Sequence, residues 1–350
     1  MVLTTIDLPI SKSIANRLLI LQAMHGDPLL EVSCAMPDDV QVMHTALTGT
    51  DSHVFVDNCG TAARFLTAFF ATQEGREVVI DGSDRMRQRP IAPLVEALRG
   101  QGADISYLAQ EGFLPLRIVG KPLRYPTSPI EIDTAISTQF ASALLLVGMP
   151  VQESQSSPYI ALTRALVAKY QLSTINYPLE SDWSSAAFWY EYVALHGGEL
   201  MLKGLQPNSL QPDAVVASLF RPLGVETTFT EEGCMLCKDI RYPLSLVNQQ
   251  LSTIDFSSSP DLYPAYAVAC RRLGLTCQAT GLDRLPYKES NRLLSVRQLL
   301  QTTDGQVVTT YHDHRIAMAA MAADMPVDDE ACVSKSYPHF VEQLNHLHRL

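Results

Sequence analysis

Several short runs of this chain place cations, hydroxyls and carboxylates close enough to hold an anion and move a proton. Ser11-Lys12-Ser13-Ile14-Ala15-Asn16-Arg17 puts Lys12 and Ser13 at a helix start and Arg17 about one turn on. An ammonium, a hydroxyl and free backbone N–H groups together suit a phosphate or carboxylate. Asp57-Asn58-Cys59-Gly60-Thr61-Ala62-Ala63-Arg64 repeats that logic, with Gly60 allowing close backbone approach. Asp84-Arg85-Met86-Arg87-Gln88-Arg89-Pro90 holds three arginines in alternation, which on an extended segment would face one side and grip a phosphate, with Pro90 opening the next helix. In Tyr287-Lys288-Glu289-Ser290-Asn291-Arg292, a helix would bring Lys288 and Arg292 to one face, where an anion between them relieves their repulsion. Glu289 beside them is a candidate acid or base. Tyr311-His312-Asp313-His314-Arg315 precedes an Ala/Met run; the histidine spacing lacks a third ligand, so a polar helix start is favoured over a metal site.

These residues need elements to position them, and six stretches share one design: a polar opening followed by an Ala/Leu-rich apolar run. They begin near Ser11, Asn58, Ser137-Thr138-Gln139, Asp182-Trp183-Ser184-Ser185, Ser259-Pro260-Asp261 and His312. Each reads as the N-terminus of a buried helix, where unpaired N–H groups and the positive dipole end favour anions. Strand-like runs lie between them at 54–56, 77–80, 116–119, 159–162, 199–202 and 306–310. The irregular spacing fits a diverged internal duplication of one α/β unit better than a solenoid. Pro and Gly punctuate the joins, as at Gly120-Lys121-Pro122 and Tyr177-Pro178, and the domain crossing is expected near 177–183.

Composition narrows the function classes. At 350 residues with 47% hydrophobic and 18% charged residues, the chain can bury two substantial cores. A net charge of −11 argues against a general nucleic-acid binder, while leaving room for a local cation cluster around a small anion. No apolar run is long enough to span a membrane, and Met1 to Leu8 does not resemble a signal peptide. Seven scattered cysteines favour a reducing cytoplasm over a disulfide scaffold, and Cys234-Met-Leu-Cys237 has no second pair to complete a zinc site. Dinucleotide, Walker A and nucleophile-elbow patterns are absent, so nucleotide cofactors are disfavoured.

Taken in order, the motifs resemble the 3-phosphoshikimate 1-carboxyvinyltransferase (EPSP synthase) family from Leu8 to the C-terminus. The matching runs are Ser11-Lys12-Ser13 with Asn16-Arg17, Asn58 with Gly60-Thr61-Ala62 and Arg64, Arg85-Met86 with Arg89-Pro90-Ile91, Ser137-Thr138-Gln139-Phe140, Lys288-Glu289-Ser290-Asn291-Arg292, and Asp313-His314-Arg315 with Ala317-Met318. The resemblance implies transfer of the enolpyruvyl group of phosphoenolpyruvate (PEP) to the 5-hydroxyl of shikimate 3-phosphate, with release of phosphate, in chorismate and aromatic amino-acid biosynthesis. It implies a two-domain inside-out α/β prism of repeated βαβαββ units. Residues 10–180 would form one domain, residues 1–9 and 181–350 the other, and the active site would lie in the cleft between them. Lys12, Ser13, Arg17, Ser137, Thr138, Gln139, Ser156 and Lys288 match shikimate 3-phosphate contacts, with Gln139 also near PEP. Gly60, Arg85, Arg292, Arg315 and Lys335 match PEP contacts. Asp261 matches the acceptor of the hydroxyl proton and Glu289 the donor to the PEP methylene carbon, with Lys12 counted beside them in the catalytic set. No cofactor or metal, no nucleic-acid or membrane partner, and a cytoplasmic monomer are expected.

The chain departs from the family pattern at four places. Ile10 stands where a Gly is usual, Thr138 replaces a Ser, Arg284 occupies an expected Asn position, and the stretch from Asp39 to Asp57 is short. Two other readings remain open at this level. One is an enolpyruvyl transferase acting on UDP-N-acetylglucosamine, although neither Cys34 nor Cys59 sits in that family's reactive-cysteine context. The other is a non-catalytic anion-binding homologue.

Overall fold

The structure is a computed structural model that describes residues 4–172, 179–238 and 253–349. The expected crossing at Tyr177-Pro178 lies outside the described residues. In chain order the elements are β1 (Thr4–Ile6), α1 (Lys12–His25), α2 (Asp38–Thr48), β2 (His53–Phe55), α3 (Gly60–Thr72), β3 (Glu77–Asp81), α4 (Ala92–Gly100), β4 (Asp104–Tyr107), β5 (Leu116–Val119), β6 (Ile130–Ile132), α5 (Gln139–Leu146), β7 (Val151–Glu153) and α6 (Pro158–Leu172). They continue with α7 (Trp183–His196), β8 (Gly198–Lys203), α8 (Val216–Phe220), β9 (Glu226–Phe229), β10 (Gly233–Lys238), β11 (Ile254–Asp255), α9 (Tyr263–Arg272), β12 (Ala279–Thr280), α10 (Arg292–Leu299), α11 (His314–Ala322) and α12 (Phe340–Leu347).

The chain divides into two compact units, a first of Lys12–Cys34 and Asp39–Pro178 and a second of Met1–Ser11, Ala35–Asp38 and Leu179–Leu350. Within the first, a four-stranded sheet runs β2-β3-β5-β4, the first pair parallel and the other two antiparallel. The second has a sheet in the order β1-β8-β10-β9 with the same sequence of directions. Each unit adds one parallel pair bracketing a helix: β6 and β7 around α5, β11 and β12 around α9. A βαβαββ copy and a βαβα copy therefore recur in each unit. A further copy in the second unit is reduced to the parallel bridge Val308↔Val327 flanking α11.

The helices fill the interior because their residues are small or apolar on every side. All nine residues of α11 are buried, and α7 buries Trp183, Phe188, Trp189 and Tyr190. In the second unit α7, α9 and α11 pack on one another, with Phe220, Phe256, Tyr266 and Phe340 in the same core. Each such side chain contributes about 1.5–3 kcal/mol of burial. In the first unit α1, α3, α5 and α6 pack in the same way.

The six expected helix starts are all present, one with an offset: a 3₁₀ turn over Pro260–Leu262 precedes α9. The caps explain the boundaries. The Cys59 thiol accepts the Ala62 N–H at 3.3 Å, Asp182 accepts that of Ser184 at 3.1 Å, and Asp313 accepts that of Arg315 at 3.1 Å. Four expectations are corrected. Residues 159–162 lie in α6, not a strand, because Pro158 suits a first helical position and Ser157 accepts the Tyr159 N–H at 3.3 Å. The run 306–310 forms only the single bridge at Val308. Met86–Gln88 is a 3₁₀ turn, so the three arginines do not share a face, and the next helix opens at Ala92, not at Pro90. Lys288 is extended and α10 begins after the Asn291 cap, so no helix spans Lys288 and Arg292. On β10, Cys234 is buried and Cys237 half-buried, three residues apart on opposite faces, which leaves no joint metal or redox geometry.

Glu191, inside α7, is fully buried, and neither carboxyl oxygen has a hydrogen-bond partner among the described residues. Burial pushes its carboxyl well above the ordinary glutamate range. The folded state keeps that proton to higher pH than the unfolded chain, so this position weakens the fold as pH rises above the unfolded glutamate value. Glu191→Gln should therefore melt at higher temperature than the parent at pH 8, with the advantage shrinking toward pH 5. Parallel melting curves for the two proteins across that range would contradict it.

Candidate functional site

Each unit gathers three of the polar helix starts, and each gathering carries a different charge. In the second unit the starts of α7, α9 and α11 meet around Arg292, the first residue of α10. Its guanidinium donates to both oxygens of Asp313 at 2.9 Å each, to Asp261 at 2.6 Å and to Glu289 at 2.6 Å. Arg292 is wholly buried, and a buried guanidinium is tolerable only with such partners. Lys288 reaches the same Asp261 oxygen at 3.1 Å, and Arg315 reaches the other at 3.3 Å. The anion expected between Lys288 and Arg292 is thus the protein's own Asp261.

Asp261 is the shared counter-ion. Burial alone would raise its carboxyl, but Arg315, Lys288 and Arg292 together hold it well below the usual carboxylate range. Burial lowers Lys288, with Asp261 opposing that shift. Arg292 and Arg315 are desolvated too, yet their carboxylate neighbours raise both above the ordinary arginine value. Behind this group Asp213 accepts the Ser184 hydroxyl, and its other oxygen has no hydrogen-bond partner among the described residues. Burial and the nearby Asp261 push its carboxyl up to about 6. Asp182, the α7 cap, also accepts the Ser185 hydroxyl at 3.0 Å and contributes to the field on Arg315. Asp213 was invisible in the sequence, an isolated Asp after a Pro; Asp182 stood out only as a helix start.

The turn into α11 is backbone-strained. Tyr311 and His312 take consecutive left-handed conformations, φ 56° and 53°, unusual for side chains of this size. Thr310 donates to Asp328 through its N–H at 2.9 Å and its hydroxyl at 2.7 Å, and His312 Nδ1 lies 2.6 Å from Asp329. This turn swings Asp313 inward to cap α11 and receive Arg292. His312 is exposed and His314 fully buried, so the two rings diverge. Among the described residues no group of three or more His, Cys, Asp or Glu side chains could hold a metal ion.

The first unit gathers the starts of α1, α3 and α5. Lys12 pairs with Asp39 at 2.9 Å, the Asp39 carbonyl accepts from the Cys59 thiol at 4.0 Å, and Gln139 donates to Thr61 at 2.9 Å. A methyl on Gly60, first in α3, would fall 2.5 Å from Arg89 Nη2 and 2.7 Å from Arg64 Nη1, so those guanidinium groups would have to shift. Arg64 donates to the Pro90 carbonyl at 2.9 Å and Arg89 to the Asn58 carbonyl at 3.0 Å. Two buried guanidinium groups, Arg64 and Arg89, thus lie at the start of α3, and Lys12 at the start of α1 pairs with Asp39. Arg89 is one of the three alternating arginines of the sequence, whereas Arg64 carries no signal there beyond its place in a motif.

Other sequence candidates are placed differently. Arg17 points inward, donating to Thr163 at 2.7 Å and to the Ser13 carbonyl at 2.8 Å, and burial lowers it to about 10. Ser137 accepts the Gln139 N–H at 3.2 Å, and Thr138 caps α5 without a side-chain bond. Ser156 is exposed just before α6. Arg85, half-buried, donates to Gln88 at 3.5 Å, while Arg87 turns away to Asp81 at 2.6 Å. Lys335 is half-buried at the end of a 3₁₀ turn. Arg284 donates to the Ser257 carbonyl at 3.2 Å, and Ile10 bridges Ser181.

A family model described as EPSP synthase (3-phosphoshikimate 1-carboxyvinyltransferase) matches residues 3–169 and 147–344. A 3-phosphoshikimate 1-carboxyvinyltransferase of Bacteroides fragilis (strain ATCC 25285) is 35% identical over 394 residues, covering 97% of this chain and 94% of the relative. One from Methanospirillum hungatei is 28% identical over 419 residues, covering 97% and 94%. A solved EPSP synthase from Acinetobacter baumannii superposes with a TM-score of 0.66 at 19% identity, over 98% of this chain and 95% of that one. The alignments are longer than this 350-residue chain, so they open gaps in it.

Removing the Arg292 guanidinium would take a shared buried cation away from three carboxylates, Asp313, Asp261 and Glu289. Arg292→Ala should lower unfolding free energy by about 3–5 kcal/mol in urea titrations. Arg292→Lys should recover only part of it, since an ammonium cannot reproduce the bidentate bond to Asp313 and still reach Asp261 and Glu289. An alanine variant as stable as the parent would show that this cluster does not hold α10 to α11.

Proposed function

The chain belongs to the EPSP synthase (3-phosphoshikimate 1-carboxyvinyltransferase) family, and on that premise we propose that it transfers the enolpyruvyl group of PEP to the 5-hydroxyl of shikimate 3-phosphate and releases phosphate. The observation that carries this reading is Asp261, a carboxylate facing three cations, with Glu289 on the same guanidinium. The reaction needs one group to take the hydroxyl proton and another to protonate the PEP methylene carbon. It also needs fixed cations for the carboxylate and phosphate of a tetrahedral ketal phosphate. Asp261 is assigned the first task and Glu289 the second. Arg292, Arg315 and Lys335, with Arg85 and Gly60 of the first unit, are assigned to PEP. Lys288, with Lys12, Ser13, Ser137, Thr138, Gln139 and Ser156, is assigned to shikimate 3-phosphate. Arg17 belongs to this group by motif, although its hydrogen bonds make it a support for Ser13.

Asp261 is a weak base while Lys288, Arg292 and Arg315 all face it. Substrate anions offer those cations other partners. Each contact drawn away from Asp261 raises its basicity, so the proton acceptor strengthens as the substrates arrive. In the first unit, Lys12, Arg64 and Arg89 stand around helix starts, a combination that suits a phosphate. Groups of both units are assigned to one substrate pair, so damage to either should stop turnover.

Phosphate release measured with both substrates tests the proposal. Asp261→Asn and Glu289→Gln should each lower kcat about a hundredfold to ten-thousandfold, the usual range for a proton-transfer group. Lys12→Met should depress kcat/KM by mutating the first unit alone. No release by the parent protein, or release with UDP-N-acetylglucosamine in place of shikimate 3-phosphate, would overturn it.

A further inference from the structure

Two of the cations assigned to PEP sit on different elements of the second unit. Arg315 is the second residue of α11, and Lys335 ends the 3₁₀ turn over Ala331–Lys335. The segment entering α11 is held residue by residue. Thr310 donates to Asp328 through its N–H at 2.9 Å and its hydroxyl at 2.7 Å. The Tyr311 hydroxyl donates to Gln298 of α10 at 2.6 Å, and His312 Nδ1 lies 2.6 Å from Asp329 Oδ2. Of these three holds, that of Asp329 also reaches the element carrying Lys335. Its Oδ1 accepts the Cys332 N–H at 3.2 Å, and its carbonyl accepts from the Cys332 thiol at 3.2 Å. One residue therefore joins the left-handed turn before α11 to the opening of the 3₁₀ turn.

We propose that Asp329 is a positioning residue for PEP, fixing Arg315 and Lys335 relative to each other; the choice of ligand rests on the transfer reading above. PEP carries a carboxylate and a phosphate, so cations on two elements serve it only in a set register. Tyr311 and His312 take φ 56° and 53°, which side chains of their size rarely adopt and keep only where their surroundings hold them. Without the Asp329 carboxylate, His312 relaxes toward an ordinary φ and carries Asp313 and Arg315 with it. The 3₁₀ turn loses the bond that orients its opening at the same time. Lys288, assigned to shikimate 3-phosphate, stands before α10 and is held by Asp261, so it keeps its place. The His312 side chain is 87% exposed, and an exposed pair adds little to stability. The effect of Asp329 is therefore on geometry more than on the melting temperature.

Steady-state phosphate release, with PEP and shikimate 3-phosphate varied in turn, tests this. Asp329→Ala should raise KM for PEP about tenfold and leave KM for shikimate 3-phosphate within about twofold, the mark of a displaced subsite. Glycine takes the left-handed conformation at no steric cost. Asp329→Ala/His312→Gly should therefore recover part of the PEP affinity, which a general loosening of the fold would not allow. A parental KM for PEP in Asp329→Ala, equal rises for both substrates, or a double variant no better than the single overturns the proposal. Hydrogen exchange read by mass spectrometry does not depend on turnover. In Asp329→Ala the amides of 311–316 and of Ala331–Lys335 should both exchange faster than in the parent. If the parent releases no phosphate, the transfer reading fails and these amides decide the positioning role; unchanged exchange in either segment overturns it.

Discussion

The second unit depends on one compensation: three buried helices begin side by side, and their positive dipole ends must be neutralised. Asp182 caps α7, Asp261 sits in the 3₁₀ turn that leads into α9, and Asp313 caps α11. Three carboxylates so close would repel one another in turn, and Arg292, Arg315 and Lys288 restore the balance. Once that lattice of charge exists, the positions of α10, the strained turn at Tyr311-His312 and the inward aim of Asp313 follow from it. The starts of α1 and α3 in the first unit carry the Lys12–Asp39 pair and the buried arginines Arg64 and Arg89 instead.

One repeated scaffold thus carries two different sets of charged residues at its helix starts. The sheets have the same strand order and directions in both units, so the fold does not distinguish them. What differs is the few residues at the helix starts, and those sit at the ends of rigid, fully packed helices. A group placed there is held by the core instead of by a loop, which suits proton transfer at fixed geometry.

The helix starts were legible because a capping residue before an Ala-rich run is a local signal with a local cause. Strand placement was legible where a run was bounded by turns, as at Leu116–Val119, and failed at Tyr159. There, a short apolar segment reads equally as strand or buried helix. The chemistry of Lys288, Glu289 and Arg292 was legible as composition but not as geometry, because the Asn291 cap shifts the helix start and Asp261 lies far off in sequence. Asp213 carried no signal at all; its importance comes from burial beside Asp261, which only the folded chain creates. Arg17 shows the converse: a motif arginine whose hydrogen bonds to Thr163 and the Ser13 carbonyl the motif does not announce.

The sheet of the second unit takes β1 from one side of the first unit's sequence and β8 from the other, pairing Thr4 with Leu200 and Ile6 with Leu202 in parallel. During synthesis β1 exists long before its partner, with nearly the whole first unit made in between. The first unit can close its own sheet as soon as β5 is made, whereas the second must wait for a long-range pairing with a larger loop-closure entropy. Assembly is thus ordered by connectivity: the sheet of the first unit can be finished first, and that of the second completes itself only when β8 finds β1.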